Sequence, residues 1–199
     1  QSVLNGFEFV ERHDALLTLG ISPTRPETGY GYIQIGDVVQ DGINKVKTFT
    51  EKPDHELAKV FVASGEFFWN SGIFLWRASA IREALRRWAP DVAGAFDAAA
   101  PEVYRDHAAE TEFIDKAFPG CVGISIDYAV MERANNVYVE TVTFGWNDLG
   151  TWSALYDLSP KNIEQNVTQN CNVLAYNCRG NIFAVRGDKL IVADGLEDY

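Results

Sequence analysis

The chain has 199 residues, is 47% hydrophobic and carries a formal net charge of -11. That is enough for one sizeable core, or for one large domain with a small appendage. The acidity repels phosphate backbones and argues against nucleic acid as a partner, and no apolar run approaches the ~20 residues of a membrane span.

From the start, Val3, Leu4, Phe7 and Val10 have helical spacing, and this helix is expected to end near Asp14. Ala15 to Ile21 is a continuous apolar run of strand length, of the kind buried on both faces of a parallel sheet. Pro23 and Pro26 make residues 22–29 a loop. Tyr30 to Ile35 and Asn44 to Thr50 read as two strands, with Asp41-Gly42 in the hairpin connection between them. Asp54 is the expected cap of a helix that closes at Gly65. Trp69 to Trp76 is a strand whose entrance, Asn70-Ser71-Gly72, is polar. Ser79 is expected to cap a helix through Trp88, and residues 90–120 read as a helical, acidic surface lobe.

Val122 to Ile126 is a short strand or extended segment, and Asp127 to Ala134 a helix. Val137 to Val142 is a strand with β-branched alternation. Gly145 to Gly150 is a tight loop before a helix over Thr151–Leu158. After Pro160 the texture becomes β-rich: Asn172–Tyr176, Asn181–Val185 and Leu190–Ala193 read as short strands, separated by turns at Cys178-Arg179-Gly180 and Arg186-Gly187-Asp188. A boundary near residue 160 is expected, with 161–199 the start of a C-terminal β region. Both ends are abrupt, which points to a piece of a longer protein. The three cysteines follow no metal or disulfide spacing, so a reduced, cytoplasmic protein is expected.

Polar pieces recur at strand ends. Glu51-Lys52, pinned by Pro53, sets a hydroxyl acceptor beside a compact cation suited to phosphate. An isolated Glu-Lys pair is more often a surface ion pair. Gly29 and Gly31 flank Tyr30, which allows close approach of backbone to a ligand or simply makes a turn. Asn70 can donate and accept at once, which suits hydroxyl recognition or a buried structural role. Asp148, in a glycine-flanked turn, is placed either to bind a metal or to cap the following helix. His13, His55 and His107 read as exposed.

Five segments together resemble the mannose-1-phosphate guanylyltransferase branch of the sugar-phosphate nucleotidyltransferases: residues 19–33 (Leu-Gly-Ile-Ser-Pro-Thr-Arg-Pro-Glu-Thr-Gly-Tyr-Gly-Tyr-Ile), Phe49-Thr50-Glu51-Lys52-Pro53, Trp69 to Phe74, Ser125 to Glu132, and Trp146 to Trp152. They follow the family's order over roughly residues 15 to 158. The first run and the Ile126-to-Glu132 block are specific to the mannose branch.

The resemblance implies an α/β fold, part of a mixed, mostly parallel, Rossmann-like sheet with flanking helices. It implies guanylyl transfer from GTP to mannose 1-phosphate. Lys52 would hold the sugar phosphate; Glu51 and Asn70 would bind mannose hydroxyls beside Tyr30, the Gly31 backbone, Ser71 and Gly72. Asp127 would support the sugar side, and Asp148 would ligate a catalytic Mg²⁺. Mannose 1-phosphate and GTP are the expected partners, a homodimer is allowed, and neither nucleic acid nor membrane is expected.

The sequence departs from the family at the nucleotide side. The glycine-rich loop with its Arg and Lys, and the other metal-binding Asp, would precede residue 1. The expectation is the sugar-binding half of an enzyme, inactive or nearly so alone. A nucleotidyltransferase of other specificity and a non-catalytic sugar-phosphate-binding module are the competing readings.

Overall fold

The computed structural model describes residues 1–40, 42–187 and 189–199, and the chain divides into two compact units, Gln1–Trp146 and Asn147–Tyr199. The first unit is built around β1 (Leu16–Ile21), whose six residues are all buried, as an unbroken apolar run requires. On one side β1 pairs in parallel with β5 (Val137–Val142), from Leu16 opposite Val137 to Ile21 opposite Val142. On the other it pairs antiparallel with β4 (Phe67–Trp76). The remaining ladders join β4 to β2 (Tyr32–Gln40), β2 to β3 (Ile43–Thr50) and β3 back to β5, all antiparallel, so the mixed sheet closes on itself in the order β1-β4-β2-β3-β5.

The two faces of this sheet bury separate cores because strand side chains alternate. Leu17, Leu19, Ile21, Tyr32 and Trp69 pack with Phe9 and Val10 of α1 (Ser2–Arg12) and with Ala58 and Phe61 of α2 (His55–Ser64). Leu16, Ile33, Phe49, Val137 and Val139 pack instead with Ala80 and Ala84 of α3 (Ala78–Trp88) and with Ala129, Val130 and Met131. The α/β class with flanking helices is therefore the observed one.

Local signals explain several boundaries. Asp54 caps α2 by accepting from Leu57 N at 2.8 Å, and Gly65 ends it at φ 71, a left-handed conformation that glycine takes without steric cost. The expected cap at Ser79 is not used: β4 runs through Trp76, so Arg77 holds the N-cap position, without a side-chain cap bond. The lobe contains α4 (Pro90–Asp97) and α5 (His107–Ala117). The helix expected over Asp127–Ala134 is instead a π-turn, Asp127–Met131, closed by Glu132 N donating to Asp127 O at 3.0 Å. Among the described residues, Val122 to Ser125 pairs with no strand. The hairpin turn expected at Asp41-Gly42 falls partly on Asp41, which lies outside the described residues.

The second unit holds α6 (Trp152–Leu158), β6 (Val167–Tyr176) and β7 (Ile182–Asp194). The texture change expected near residue 160 lies inside this unit, where α6 and its end are tied to β6 and to the segment leading into it: Tyr156 OH donates to Gln165 O at 2.8 Å and Gln169 Nε2 to Ser159 Oγ at 3.3 Å. β6 and β7 pair in parallel although only residues 177–181 connect them. Parallel neighbours ordinarily need a crossover of a dozen or more residues, so here the chain itself coils. Paired residues are 15 apart from Val167 to Gln169 and 18 apart from Cys171 to Tyr176. Of the turn expected at Arg186-Gly187-Asp188, Arg186 and Gly187 lie within β7 near this change of register, with Gly187 at φ 86, and Asp188 lies outside the described residues. Buried asparagines mark the start of each coil. Asn166 Oδ1 accepts from Asn181 N at 3.0 Å, and Asn181 Oδ1 accepts from Tyr199 N at 3.0 Å.

Candidate functional site

A polar cluster lies at one end of the second core face of the first unit. It forms where β1, β4 and the ends of β2 and β3 meet the π-turn. Its centre is Asn70, 8% exposed, set at a bulge in β4: Gly20 pairs with Asn70 and Thr18 with Phe74, so three β4 residues stand opposite one on β1. Bulges of this kind re-aim a side chain. Gly72 takes φ 72, and Ser71 Oγ accepts from Ile73 N at 3.1 Å, so Ser71 and Gly72 shape the bulge.

The Asn70 amide is held from both sides. Oδ1 accepts from Thr18 Oγ1 at 2.9 Å and from Gly72 N at 3.2 Å; Nδ2 donates to Asp127 Oδ1 at 2.9 Å. Both lone pairs of the amide oxygen are thus occupied, and one N–H remains for a ligand. The sequence reading of Asn70 as simultaneous donor and acceptor narrows to donor.

Glu51 supplies the acceptor. Its side chain is 8% exposed, and Oε2 is buried without a hydrogen-bond partner. Oε1 pairs with Lys52 Nζ at 2.5 Å. A carboxylate oxygen buried unpaired is costly unless something completes it. Gly31 makes its room: a Cβ there would lie 2.3 Å from Glu51 Oε2 and 3.3 Å from Asn70 Cβ. Asn70 N also donates to Gly31 O at 2.8 Å, which locks the two backbones together.

Lys52 projects outward, its side chain 57% exposed. The hydrogen bond to Glu51 outweighs the opposing effect of burial and, with lesser contributions from the charges of Glu51, Tyr128 and Asp127, raises its pKa above the usual 10.5, so the ammonium is retained. Its backbone is strained: φ is 47, left-handed, directly before Pro53. A non-glycine residue in that region costs about 1–2 kcal/mol, and a following proline disfavours helical conformations. The bend lets Glu51 and Lys52, adjacent at a strand end, pair with each other.

The structure thus brings together Gly31, Glu51, Lys52, Asn70 and Asp127. Tyr30 is placed on the opposite face of the sheet, edge-on to Trp69 and Trp146 with ring centroids 5.3 and 5.1 Å away. Sequence reasoning missed two members. Thr18 is buried in the apolar run, and only its hydroxyl marked it. Glu132 accepts from Glu51 N at 3.0 Å through Oε1, and its one sequence signal is its place at the end of the Ser125-to-Glu132 segment.

Asp148 belongs to the second unit. Its Oδ1 accepts from Gly150 N at 3.0 Å, and Leu149 takes φ 52. The capping role weighed for Asp148 is filled by Thr151, whose Oγ1 accepts from Ala154 N at 3.1 Å. Among the described residues no group of three or more His, Cys, Asp or Glu gathers to hold a metal. The exposed carboxylate of Asp148 fits Mg²⁺, which takes one or two carboxylates and completes its shell with water and phosphate oxygens. A separate apolar hollow between α3 and α4, lined by Leu85, Val92 and Phe96 among others, has Arg82 and Asp97 at its edge, but these pair with each other at 2.7 Å. It lacks the convergent unpaired groups of the Asn70 cluster. No helix is long and apolar enough to cross a membrane among the described residues.

A family model described as Nucleotidyl transferase matches residues 4–165. The xanthan biosynthesis protein XanB of Xanthomonas campestris pv. campestris is 44% identical over 184 residues, covering 92% of this chain and 38% of that protein. A mannose-1-phosphate guanylyltransferase of Salmonella muenchen is 40% identical over 181 residues, covering 89% of this chain and 37% of that one. The chain thus spans less than two fifths of the length of these curated relatives. The crystal structure of mannose-1-phosphate geranyltransferase from Thermus thermophilus superposes with a TM-score of 0.74 at 29% identity, covering 98% of this chain and 56% of that one.

Proposed function

Since the chain belongs to the nucleotidyl transferase family, we propose that it carries the sugar-phosphate side of an enzyme joining GTP and mannose 1-phosphate into GDP-mannose. One observation carries the reading. Glu51 Oε2, buried and unpaired, fills the space that the absent Cβ of Gly31 leaves, a position that also abuts Asn70 Cβ, with the Lys52 ammonium adjacent. An acceptor, a donor and an exposed cation together match vicinal hydroxyls and a phosphate on one small ligand.

In this reading Glu51 Oε2 accepts from one sugar hydroxyl and the free Asn70 N–H donates to another. Lys52 pairs with the sugar phosphate, leaving one of its oxygens to attack the α-phosphorus of GTP. The bond from that phosphorus to the bridging oxygen breaks, and pyrophosphate leaves with the electron pair. Such a transfer needs alignment and charge neutralisation rather than a covalent protein intermediate. Asp148 would hold Mg²⁺, which supplies neutralisation of phosphate charge. Support comes from the relatives' names and from the chemistry of the cluster. The nucleotide side is assigned to no residue of this chain.

The test is product analysis of the complete gene product with each of the four nucleoside triphosphates, and with mannose 1-phosphate against glucose 1-phosphate. GDP-mannose and pyrophosphate in equal amounts are expected. A different sugar nucleotide would refute the specificity; no product with any pair would refute transfer and favour a binding module.

A further inference from the structure

We infer that Glu132 is a positioning residue, and that the π-turn Asp127–Met131 serves as a clamp setting both halves of the sugar-phosphate cluster. The inference rests on the function proposed above. The clamp has two ends. At one, Asp127 Oδ1 accepts from Asn70 Nδ2 at 2.9 Å and fixes which way the amide faces. At the other, Glu132 Oε1 accepts from Glu51 N at 3.0 Å. That bond reaches the residue immediately before the strained, left-handed Lys52. A charged acceptor on the Glu51 N–H holds the strand end where the bend begins, so it counters the tendency of Lys52 to relax toward the extended backbone that Pro53 favours.

The π-turn is what lets one short segment do both. In an α-helix, residues five apart lie about 140° apart around the axis at 3.6 residues per turn. The i→i+5 bond from Glu132 N to Asp127 O at 3.0 Å widens the turn and brings positions 127 and 132 toward one side. Its apolar residues, Ala129, Val130 and Met131, are buried at 3%, 0% and 1% exposure in the second core, which anchors the clamp to the sheet. Glu132 itself need not touch substrate; it acts through the backbone that carries Glu51 and Lys52.

The experiment compares wild type, Glu132→Ala and Glu132→Gln in the complete gene product, by steady-state kinetics with mannose 1-phosphate and GTP varied separately. Removal of the acceptor is expected to raise KM for mannose 1-phosphate about tenfold or more. Loss of ground-state positioning leaves kcat within about threefold, and KM for GTP likewise. Glu132→Gln keeps an oxygen acceptor and is expected to recover most of the lost affinity. Should Glu132→Ala not fold, Glu132→Asp, which draws the carboxylate back by one methylene, is expected to raise the same KM. An unchanged KM for mannose 1-phosphate in the folded variant overturns the assignment, as does an equal loss in Glu132→Gln. Wild type making no sugar nucleotide would instead refute the proposed function, so the two failures are separable.

Discussion

Gly31→Ala isolates the buried acceptor. Gly31 is not among the residues with positive φ, so alanine brings no backbone penalty there. Its effect is the new methyl, 2.3 Å from Glu51 Oε2 where an ordinary contact is well beyond 3 Å. The carboxylate cannot withdraw freely, because Oε1 is paired to Lys52 and the Glu51 N–H is bonded to Glu132. It must leave its rotamer, at about 0.5–1.5 kcal/mol, or strain its surroundings, at about 1–3 kcal/mol. A ligand hydroxyl then loses a hydrogen bond to a charged acceptor, about 1.5–3 kcal/mol, or roughly 10- to 150-fold in affinity. Calorimetry of mannose 1-phosphate binding reads that loss directly, and thermal unfolding reports any change in stability. Wild-type affinity in a folded Gly31→Ala protein would refute the reading of Glu51 Oε2 as the ligand's acceptor.

Lys52→Ala should weaken mannose 1-phosphate binding by about 1.5–3 kcal/mol if the ammonium meets the phosphate; unchanged calorimetric affinity would remove that role. Because the lysine pKa is raised, its contribution is fully present below 10.5 and fades only as pH rises through the raised value. Affinity measured from pH 7 to 10 should therefore show no decline in wild type that Lys52→Ala abolishes. Thr18→Val keeps the shape but leaves Asn70 Oδ1 with only the 3.2 Å bond from Gly72. It should cost about 1–2 kcal/mol of stability in denaturant titrations, while Asp127 keeps the amide oriented and affinity changes by less than about threefold. Asp148→Asn in the complete gene product should abolish most Mg²⁺-dependent activity at unchanged folding; retained turnover would exclude the metal role.

The strand and helix segments of the first unit were largely legible, because burial on one or both faces writes a period into the sequence: the 15–21 run, apolar but for Thr18, became β1, and Asp54 and Gly65 bounded α2 as their chemistry dictates. The site was legible as separate strand ends. What could not be read was how they join. The bulge at Ser71-Gly72 depends on register against β1, which is a long-range property. Its neighbours mark Thr18 only as part of a core strand, because its partner, Asn70, lies 52 residues away. The sequence sets Tyr30 beside Gly31, yet ahead of β2 the two face opposite ways, and Tyr30 packs on the aromatic side. The closure of the sheet through β3 and β5, and the coil of β6 onto β7, rest on pairings that leave no local signature.

The asparagine-marked coil of the second unit has a bearing on how that region tolerates change. Asn166, Asn181 and Tyr199 repeat one bonding pattern: each later backbone N–H caps the amide oxygen before it, and Val167 N and Ile182 N donate to Asn181 O and Tyr199 O, each at 2.8 Å. In such an arrangement each layer meets only its neighbours, so stability accrues layer by layer rather than through one shared core. Layers of this type can be gained, lost or altered at their outer corners while the next one still finds its footing, which makes this unit modular in a way the closed sheet of the first unit is not.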